Sequence, residues 1–368
     1  MKTGVAKLPL HPGKAPKWLF SRMVALAGGI TDVILDEYGQ EEFLNRLSNP
    51  FWFQCLGNVL GFDWHSSGLT TTTCGAIKES QKGKDNGLFI LGGKGKVSKE
   101  VPEKLPLMNF SDTRTRELIQ ASKLSAKVDN SVLQDGYQLY HHVLAFTEKG
   151  RWSVVQQGMG NDWARRYHWL DDAIETDFVE EPHAAICCDR KGDTLDLTAR
   201  ESAEARKTSV DLLNDNPVHL QRFFGKSRQQ TLDEFSPGYR QPKVLNLPKH
   251  HLINETDLTE RDFKVLHKVY EIQPASYQEL VSLKGMGPKR IRALALVANV
   301  IHGSELSWKD PVKYSFAHGG KDGTPYPVNR EVYDHTIQQI RESLYKAEAG
   351  EKEKKGAWRR LGSLVDGM

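Results

Sequence analysis

Two runs of apolar and β-branched residues, 137–147 and 151–157, stand three residues apart in this chain. The residues between them, 148–150, end in glycine, which suits the tight loop of a β-hairpin. Apolar side chains occupy both alternating sets of positions, and successive strand residues point to opposite faces. The pattern therefore predicts a β-hairpin whose two faces are both at least partly buried.

The loop length also fixes which residues oppose each other. His141 falls opposite Gln157 and His142 opposite Gln156, so each face of the predicted hairpin carries one His/Gln pair. Buried polar side chains need hydrogen-bond partners or a function that explains them. The two pairs are therefore candidates for a functional site or for a polar network that orders the core.

Further segments carry helix or strand patterns. Apolar residues recur at helical spacing over 16–48, 111–127 and 199–225, and Ser111 is placed to cap the second of these helices. Polar and β-branched residues at 63–75 predict a loop followed by a strand. A strand at 87–91 runs into the basic, Gly-rich stretch 92–96, which we interpret as a flexible loop.

These patterns predict an α+β fold in several units. The length of 368 residues suits two or three domains of about 150 residues. Residues 1–215 predict a mixed α/β domain with the β-hairpin, and 216–257, which contain several prolines, predict a linker. Residues 258–305 predict an all-helical domain. Residues 306–368 form a C-terminal segment, and the charged stretch at 346–360 predicts a disordered end.

Charge and apolar content narrow the class of protein. The formal net charge is +3, but residues 1–215 carry −3 and residues 216–368 carry +6. A positive bias of this kind suits contact with polyanions. No apolar run approaches 18 residues, no apolar leader opens the chain, and the four cysteines form no CxxC pair. We expect a cytoplasmic protein without a membrane span or a disulfide scaffold.

The strongest motif is SYQELVSLKGMGPKRIRALALVANVIHG at 276–303. It resembles the helix-hairpin-helix family, in which two glycines shape a turn between two helices and the turn binds DNA backbone without reading sequence. Amide groups at the turn and at the start of the second helix can face a phosphate, and nearby cations add charge contacts. The DNA-binding candidates are Lys284, Gly285, Met286, Gly287, Lys289, Arg290 and Arg292. The alternative is a plain helical turn. A single module of this kind binds DNA weakly, so we expect a second DNA-binding module or a homodimer.

A group of polar residues in the front half suggests phosphodiester chemistry. Such a site needs a carboxylate or histidine to hold a metal or activate water, and cations to stabilise the phosphate. The candidate catalytic residues are Asp63, His65, Asp135, His141, His142, Gln157, Arg165, Arg166 and His168. A divalent cofactor such as Mg or Mn would suit them. The alternative is a buried polar network. No GxxxxGK[ST] sequence occurs, which argues against an ATP-driven motor.

A weak partner motif lies in the predicted linker. Gln229, Leu232 and Phe235 follow the spacing of peptides that bind sliding clamps, although Ser236 stands where such peptides carry a second aromatic residue. The simpler interpretation is a linker without a partner.

Several long motifs together resemble one family over nearly the whole chain. They are GVAKLPLHPGKAPKWL at 4–19, NPFWFQCLG and GFDWHSSG at 49–68, LYHHVLAF and VVQQGM at 139–159, ARRYHW at 164–169, and YSFAHGGKDGTPYPV at 314–328. The chain resembles the family known as domain of unknown function seven-six-three. The resemblance implies a front domain with nuclease-like or nucleic-acid roles joined to a helix-hairpin-helix, and it identifies no catalytic residue.

Taken together, the sequence predicts a DNA-binding protein of repair or recombination that contacts backbone phosphates, and a metal-dependent, structure-selective nuclease as its activity. Two other interpretations stay open. The chain could be a non-enzymatic DNA-binding or adaptor protein, or it could bind or process RNA.

Overall fold

The structure is a computed structural model. It describes residues 16–61, 67–160, 163–174, 177–188, 191–224, 258–312 and 330–366.

An antiparallel sheet of five strands lies between two apolar clusters that form the core. In spatial order the strands are β1 (Leu88–Lys94), β3 (Gln138–Thr147), β4 (Trp152–Met159), β5 (Ala164–Leu170) and β6 (Ala185–Cys187). Two short strands, β2 (Leu133–Gln134) and β7 (Leu195–Asp196), pair separately. This sheet, together with the helices around it, confirms the α+β class.

The predicted β-hairpin is confirmed in its register. β3 and β4 pair with His141 opposite Gln157 and His142 opposite Gln156. Both faces are buried, as expected. Val143 belongs to the first apolar cluster, on one face of the sheet, and the next residue, Leu144, belongs to the second apolar cluster, on the other face.

Three helices cover the first face of the sheet. They are α1 (Lys17–Ser48), which the periodicity predicts, α2 (Pro50–Val59) and α3 (Gly68–Ser80). Asn49 ends α1 and begins α2, because its side chain accepts hydrogen bonds from the backbone N–H groups of Phe51 and Trp52 at 3.0 and 3.1 Å. Every residue of α2 is buried, so this helix forms the centre of the first apolar cluster.

The strand predicted within 63–75 is wrong, because residues from Gly68 onward form α3. The run of β-branched threonines favours a strand by local propensity. Leu69, Thr73, Cys74 and Ile77, however, lie at helical spacing and are all buried. Packing of this face against α1 and α2 overrides the local preference.

By length and apolar content, α1 could cross a membrane, although the sequence reading found no such segment. Within α1, 56% of the apolar 18-residue stretch that meets this criterion is buried inside the molecule. Met23, Leu26, Ile30 and Ile34 follow helical spacing and lie in the first apolar cluster. We therefore interpret α1 as a core helix.

The second face of the sheet carries most of the remaining helices. They are α4 (Val101–Lys104), α5 (Asp112–Lys127), α6 (Ala203–Asn214), α7 (Pro217–Phe224), α8 (Glu260–Ile272), α9 (Tyr277–Ser282) and α10 (Pro288–His302). Ser111 caps α5 as predicted, accepting from the backbone N–H of Arg114 at 3.3 Å. A π-helical turn, Val128–Val132, continues α5.

The helices of 258–305 share a core with the sheet. Leu266 of α8 and Leu294 of α10 belong to the same apolar cluster as Leu144 and Val154 of the β-hairpin. The helical unit predicted over 258–305 thus packs on the second face of the sheet, and its standing as a separate domain stays a prediction.

The C-terminal segment ends in two helices, α11 (Arg330–Lys346) and α12 (Glu351–Asp366). The predicted disordered end is therefore wrong. Ala357 and Leu361 stand one turn apart and are almost fully buried, with 0% and 1% exposure. The many charges of 351–360 occupy the other faces of α12, and this amphipathic arrangement lets a charged segment fold by packing.

The flexible loop predicted at 92–96 is wrong as well. Gly92 and Lys94 belong to β1, and Lys96 lies in a 3₁₀ turn, Gly95–Lys99. Gly92 has a φ of +97°, and a Cβ there would overlap the carbonyl oxygen of His142. Glycine at this position lets β1 approach β3 closely.

Candidate nucleic-acid interface

The turn between α9 and α10 is built around two glycines with different surroundings. Gly285 has a φ of +96°, and a Cβ there would lie 2.8 Å from Val265. Gly287 is extended, with φ −99° and ψ 178°, and in the described part of the chain nothing lies within 4 Å of where its Cβ would begin. Met286, between them, has 0% exposure. The turn is thus anchored by Met286 and open at Gly287.

The predicted basic residues of this turn have different environments. Lys284 is exposed, whereas Lys289 and Arg290 both contact the carboxylate of Asp262, at 3.1 and 2.6 Å. Arg292 has only 3% exposure, and its guanidinium donates to Gln134 at 3.4 Å. Burial removes Arg292 from the predicted phosphate contacts, because its side chain lies inside the core.

One backbone N–H group of the turn forms a hydrogen bond within the turn itself. The N–H of Gly287 donates to the carbonyl of Gly285 at 2.8 Å, so it is not free for a phosphate as expected from the sequence. Three features of the turn can still contact a phosphate: the open surface at Gly287, the exposed Lys284 and the amino end of α10. Helix amino ends attract anions through their dipole and N–H groups.

A second feature is a chain of hydrogen bonds through the second face of the sheet. Ser122 Oγ lies 2.9 Å from His142 Nε2, and His142 Nδ1 lies 2.9 Å from Gln156 Oε1. Gln156 Nε2 donates to Asp129 at 2.6 Å. Asp129 also accepts from Trp169 at 3.0 Å and contacts His183 at 2.5 Å.

The direction of these bonds fixes the state of His142. The amide nitrogen of Gln156 donates to Asp129, so its oxygen is the atom that faces His142 and must accept. Nδ1 of His142 therefore carries the proton, and Nε2 accepts from the hydroxyl of Ser122. Burial lowers the pKa of His142 to about 4, which keeps the ring neutral near pH 7.

Ser122 and His142 line a cavity of about 370 Å³ at the surface. Its other lining residues are Ser98, Lys99, Pro102, Lys123, Ala126, Lys127, Asn130, Gln138, Leu139 and His141. Three of these are lysines, and among the residues that the structure describes no carboxylate lines the cavity. The charge of the walls suits an anionic ligand.

The cavity and the α9–α10 turn are neighbours. Burial, and after it the charge of Arg290, lower the pKa of Lys127. Gln134, just after the π-helical turn, donates to the carbonyl of Pro288 at 2.9 Å. One basic surface therefore extends from Lys284 through Arg290 to Lys127 and the cavity.

His141 lies on the other face of the sheet from His142, as strand alternation requires. It has 1% exposure, and within the described ranges neither ring nitrogen has a hydrogen-bond partner. Burial first, then the nearby His142, Lys94 and Lys78, lower its pKa to about 3. Its partner Gln157 donates to the carbonyl of Ser67 at 2.8 Å and contacts the hydroxyl of Tyr140.

The remaining predicted residues form two separate buried groups. Arg165 joins Asp135 and Asp310 at 3.0 and 2.6 Å, and Tyr167 donates to Asp135 at 2.7 Å. Burial raises the pKa of Asp135 to about 6 against the pull of Arg165. Elsewhere, Arg166 donates to His168 at 2.8 Å. Both groups are enclosed by the core, so the structure does not bring them to the cavity.

Some predicted residues lie outside the described ranges, namely Asp63, His65 and the linker residues Gln229, Leu232 and Phe235. The same holds for the motif at 314–328. Among the groups that the structure does describe, no three His, Cys, Asp or Glu residues stand together as a metal site.

Sequence reasoning missed Ser122, Asp129, Lys99, Lys123 and Lys127. The hairpin register predicted the His142–Gln156 bond, which is the middle of the chain of hydrogen bonds. Ser122 lies in a helix with no distinguishing pattern around it. Only the packing of α5 on β3 brings its hydroxyl to the ring.

Comparison with known proteins gives one match. A family model described as "Protein of unknown function (DUF763)" matches residues 4–328. No curated protein and no solved structure matches the chain.

Proposed function

We propose that this chain, which belongs to the family described as protein of unknown function (DUF763), is a cytoplasmic DNA-binding protein that holds backbone phosphates on the surface between the α9–α10 turn and the cavity. The observation that carries the proposal is the contact between the two parts of this basic surface: Gln134, just after the π-helical turn that follows Lys127, donates to the carbonyl of Pro288 at the start of α10 at 2.9 Å.

The charges favour a polyanion over a small ligand. Asp262 offsets only one of the two cations it contacts, and Lys284 is exposed beside them. The cavity adds Lys99, Lys123 and Lys127. Cations at both the turn and the cavity can contact more than one phosphate of a strand, and they carry no means of reading bases. We therefore propose binding without sequence preference, in the setting of repair or recombination.

Gly287→Val tests the role of the turn. The backbone at Gly287 is extended and the space beside it is open, so valine fits without disturbing the fold but fills the position where a phosphate would approach. We expect DNA affinity, measured by fluorescence anisotropy, to fall at least tenfold, a loss of about 1.4 kcal/mol.

Gly192→Val is the matched control, because Gly192 is also exposed with open space around it, and its backbone N–H donates to Asp310, which lies outside the turn. It should bind DNA as the unchanged protein does. A folded Gly287→Val variant with undiminished affinity would remove the turn from the proposal. Stronger competition by structured RNA than by DNA would favour the RNA-binding alternative instead.

Phosphodiester cleavage is a second candidate function, and the polar wall of the cavity favours it. Ser122 and His142 stand beside three lysines in a space that can hold a phosphate. Incubation of the protein with labelled duplex, single-stranded and branched DNA tests it, with Mg, with Mn and with a chelator. Products in any of these support a nuclease. Tight binding without products would favour the non-enzymatic adaptor.

A further inference from the structure

We propose that Ser122 is the nucleophile of a phosphodiester-transfer site in the cavity, with His142 as its general base. The inference rests on the proposed function, since it takes the bound DNA strand as its substrate. It goes further by naming the reaction and the atom that attacks.

The hydrogen bonds give Ser122 the surroundings of an activated hydroxyl. The hydroxyl lies 2.9 Å from the unprotonated Nε2 of His142, and Gln156 holds the opposite edge of the ring at 2.9 Å. Asp129 fixes Gln156 at 2.6 Å, so the amide cannot turn over and change the tautomer of the ring. A nucleophile, a base and a group that orients the base are the parts that serine-based catalysis requires.

The rigidity of this arrangement comes from elements on three sides. Ser122 is held by α5, His142 and Gln156 by neighbouring strands, and Asp129 by the π-helical turn. π-Helical turns occur frequently at functional sites. Trp169 and His183 occupy the remaining positions around Asp129. The ring of His142 is thus fixed before any substrate binds.

The cavity supplies room and charge for the phosphate. Ala126 lies one turn after Ser122 on the same face of α5 and lines the cavity, so no large side chain follows the hydroxyl on that face. Lys123 and Lys127 lie on the same helix as Ser122, and Lys99, at the end of the 3₁₀ turn, also lines the cavity. Cations at these positions can stabilise the charge that develops on the phosphoryl oxygens.

The proposed reaction consists of two successive displacements at phosphorus. The proton of Ser122 passes to Nε2 of His142 while Oγ forms a bond to phosphorus. The bond from phosphorus to one deoxyribose oxygen breaks, and that oxygen takes the proton from His142 to leave as a hydroxyl group. The DNA end is then a phosphate ester of Ser122. Water attacks phosphorus, gives its proton to His142, and Oγ recovers that proton as it leaves.

A DNA oligonucleotide with a bridging phosphorothiolate, in which sulfur replaces the leaving oxygen, traps the ester, because the released thiol returns poorly. We expect the full-length protein to form an adduct with this DNA that survives denaturing electrophoresis, in the presence of a chelator, with the attached phosphate located on Ser122 by mass spectrometry. Ser122→Ala should lower the rate of adduct formation at least about 100-fold.

Ser125→Ala is the matched control. Ser125 lies on the same helix, is buried, and donates to the carbonyl of Ser122, but it does not line the cavity. This variant should form the adduct at the normal rate. Circular dichroism of both variants checks that each is folded.

Each other outcome overturns a distinct statement. DNA binding that depends on Gly287, but with no adduct or with an adduct on another residue, would overturn the role of Ser122 and leave the proposed function standing. Cleavage at an unchanged rate by folded Ser122→Ala would do the same. Absence of DNA binding by the unchanged protein would overturn both.

Discussion

Two adjacent histidines, His141 and His142, show at the scale of single residues how burial can serve different ends. His142 has partners for both ring nitrogens, whereas His141 has none among the described residues. An unpartnered polar group in the core destabilises the fold, and replacing it by an apolar group of similar size removes that penalty. The two residues should therefore respond in opposite ways to the same substitution.

We predict that His141→Leu raises the free energy of unfolding by about 1–3 kcal/mol, since leucine fills the space without an unsatisfied donor or acceptor. Urea denaturation measures the change. His142→Leu is the comparison, and it should lower stability because Ser122 and Gln156 lose their partner. A destabilised His141→Leu protein would show instead that the ring has a partner, such as a metal ion.

At the scale of single residues, the sequence predicted contacts only between residues paired within one hairpin. The length of one loop placed His142 opposite Gln156, and the structure agrees. Ser122 and Asp129 could not be found in the same way, because they approach His142 and Gln156 through the packing of α5 on the sheet. Arg292 was predicted to contact phosphate because of its charge, but its side chain is buried in the core.

Whole elements follow from sequence when their pattern and their propensity agree, as they do for the β-hairpin, α1 and α5. α3 and α12 were missed because the two disagree. Threonines obscure the buried stripe of α3, and dense charge obscures Ala357 and Leu361, which are buried in α12. In both helices tertiary packing decides the outcome.

The packing of α12 gives a prediction for that element. Leu361 has 1% exposure and belongs to the first apolar cluster. We predict that Leu361→Ala lowers the free energy of unfolding by about 2–5 kcal/mol, the range for deleting a buried leucine side chain. Gly362→Ala, with open space around it, should leave stability unchanged or raise it. Equal stability of both variants would mean that the C-terminal helix contributes nothing to the core.

The molecule as a whole buries three neutral histidines in the described ranges of its core, His141, His142 and His168. Burial lowers the pKa of each, for His168 with the help of Arg166. The unfolded chain takes up protons as pH falls below about 6.5, while the folded chain does not until far lower pH. These groups therefore destabilise the fold on acidification, and Asp135, whose pKa is raised to about 6, acts in the opposite direction.

A comparison of variants isolates one of these groups. The stability gain of His141→Leu should grow as pH falls from 6.5 toward about 4, by about 1.4 kcal/mol per pH unit, because only the unchanged protein carries this group. Parallel urea titrations at several pH values measure it. A gain that stays constant with pH would mean that His141 titrates normally in the folded state.

The salt dependence of DNA affinity tests most directly the claim that turn and cavity form one phosphate-binding surface. We compare the unchanged protein with a variant in which Lys99, Lys123 and Lys127 are all alanine. Each phosphate contact contributes about 0.9 to the slope of log affinity against log salt, so the account predicts a slope smaller by about 2 to 3 in the variant. An identical slope for the two folded proteins would contradict the account, because DNA would then not reach the cavity.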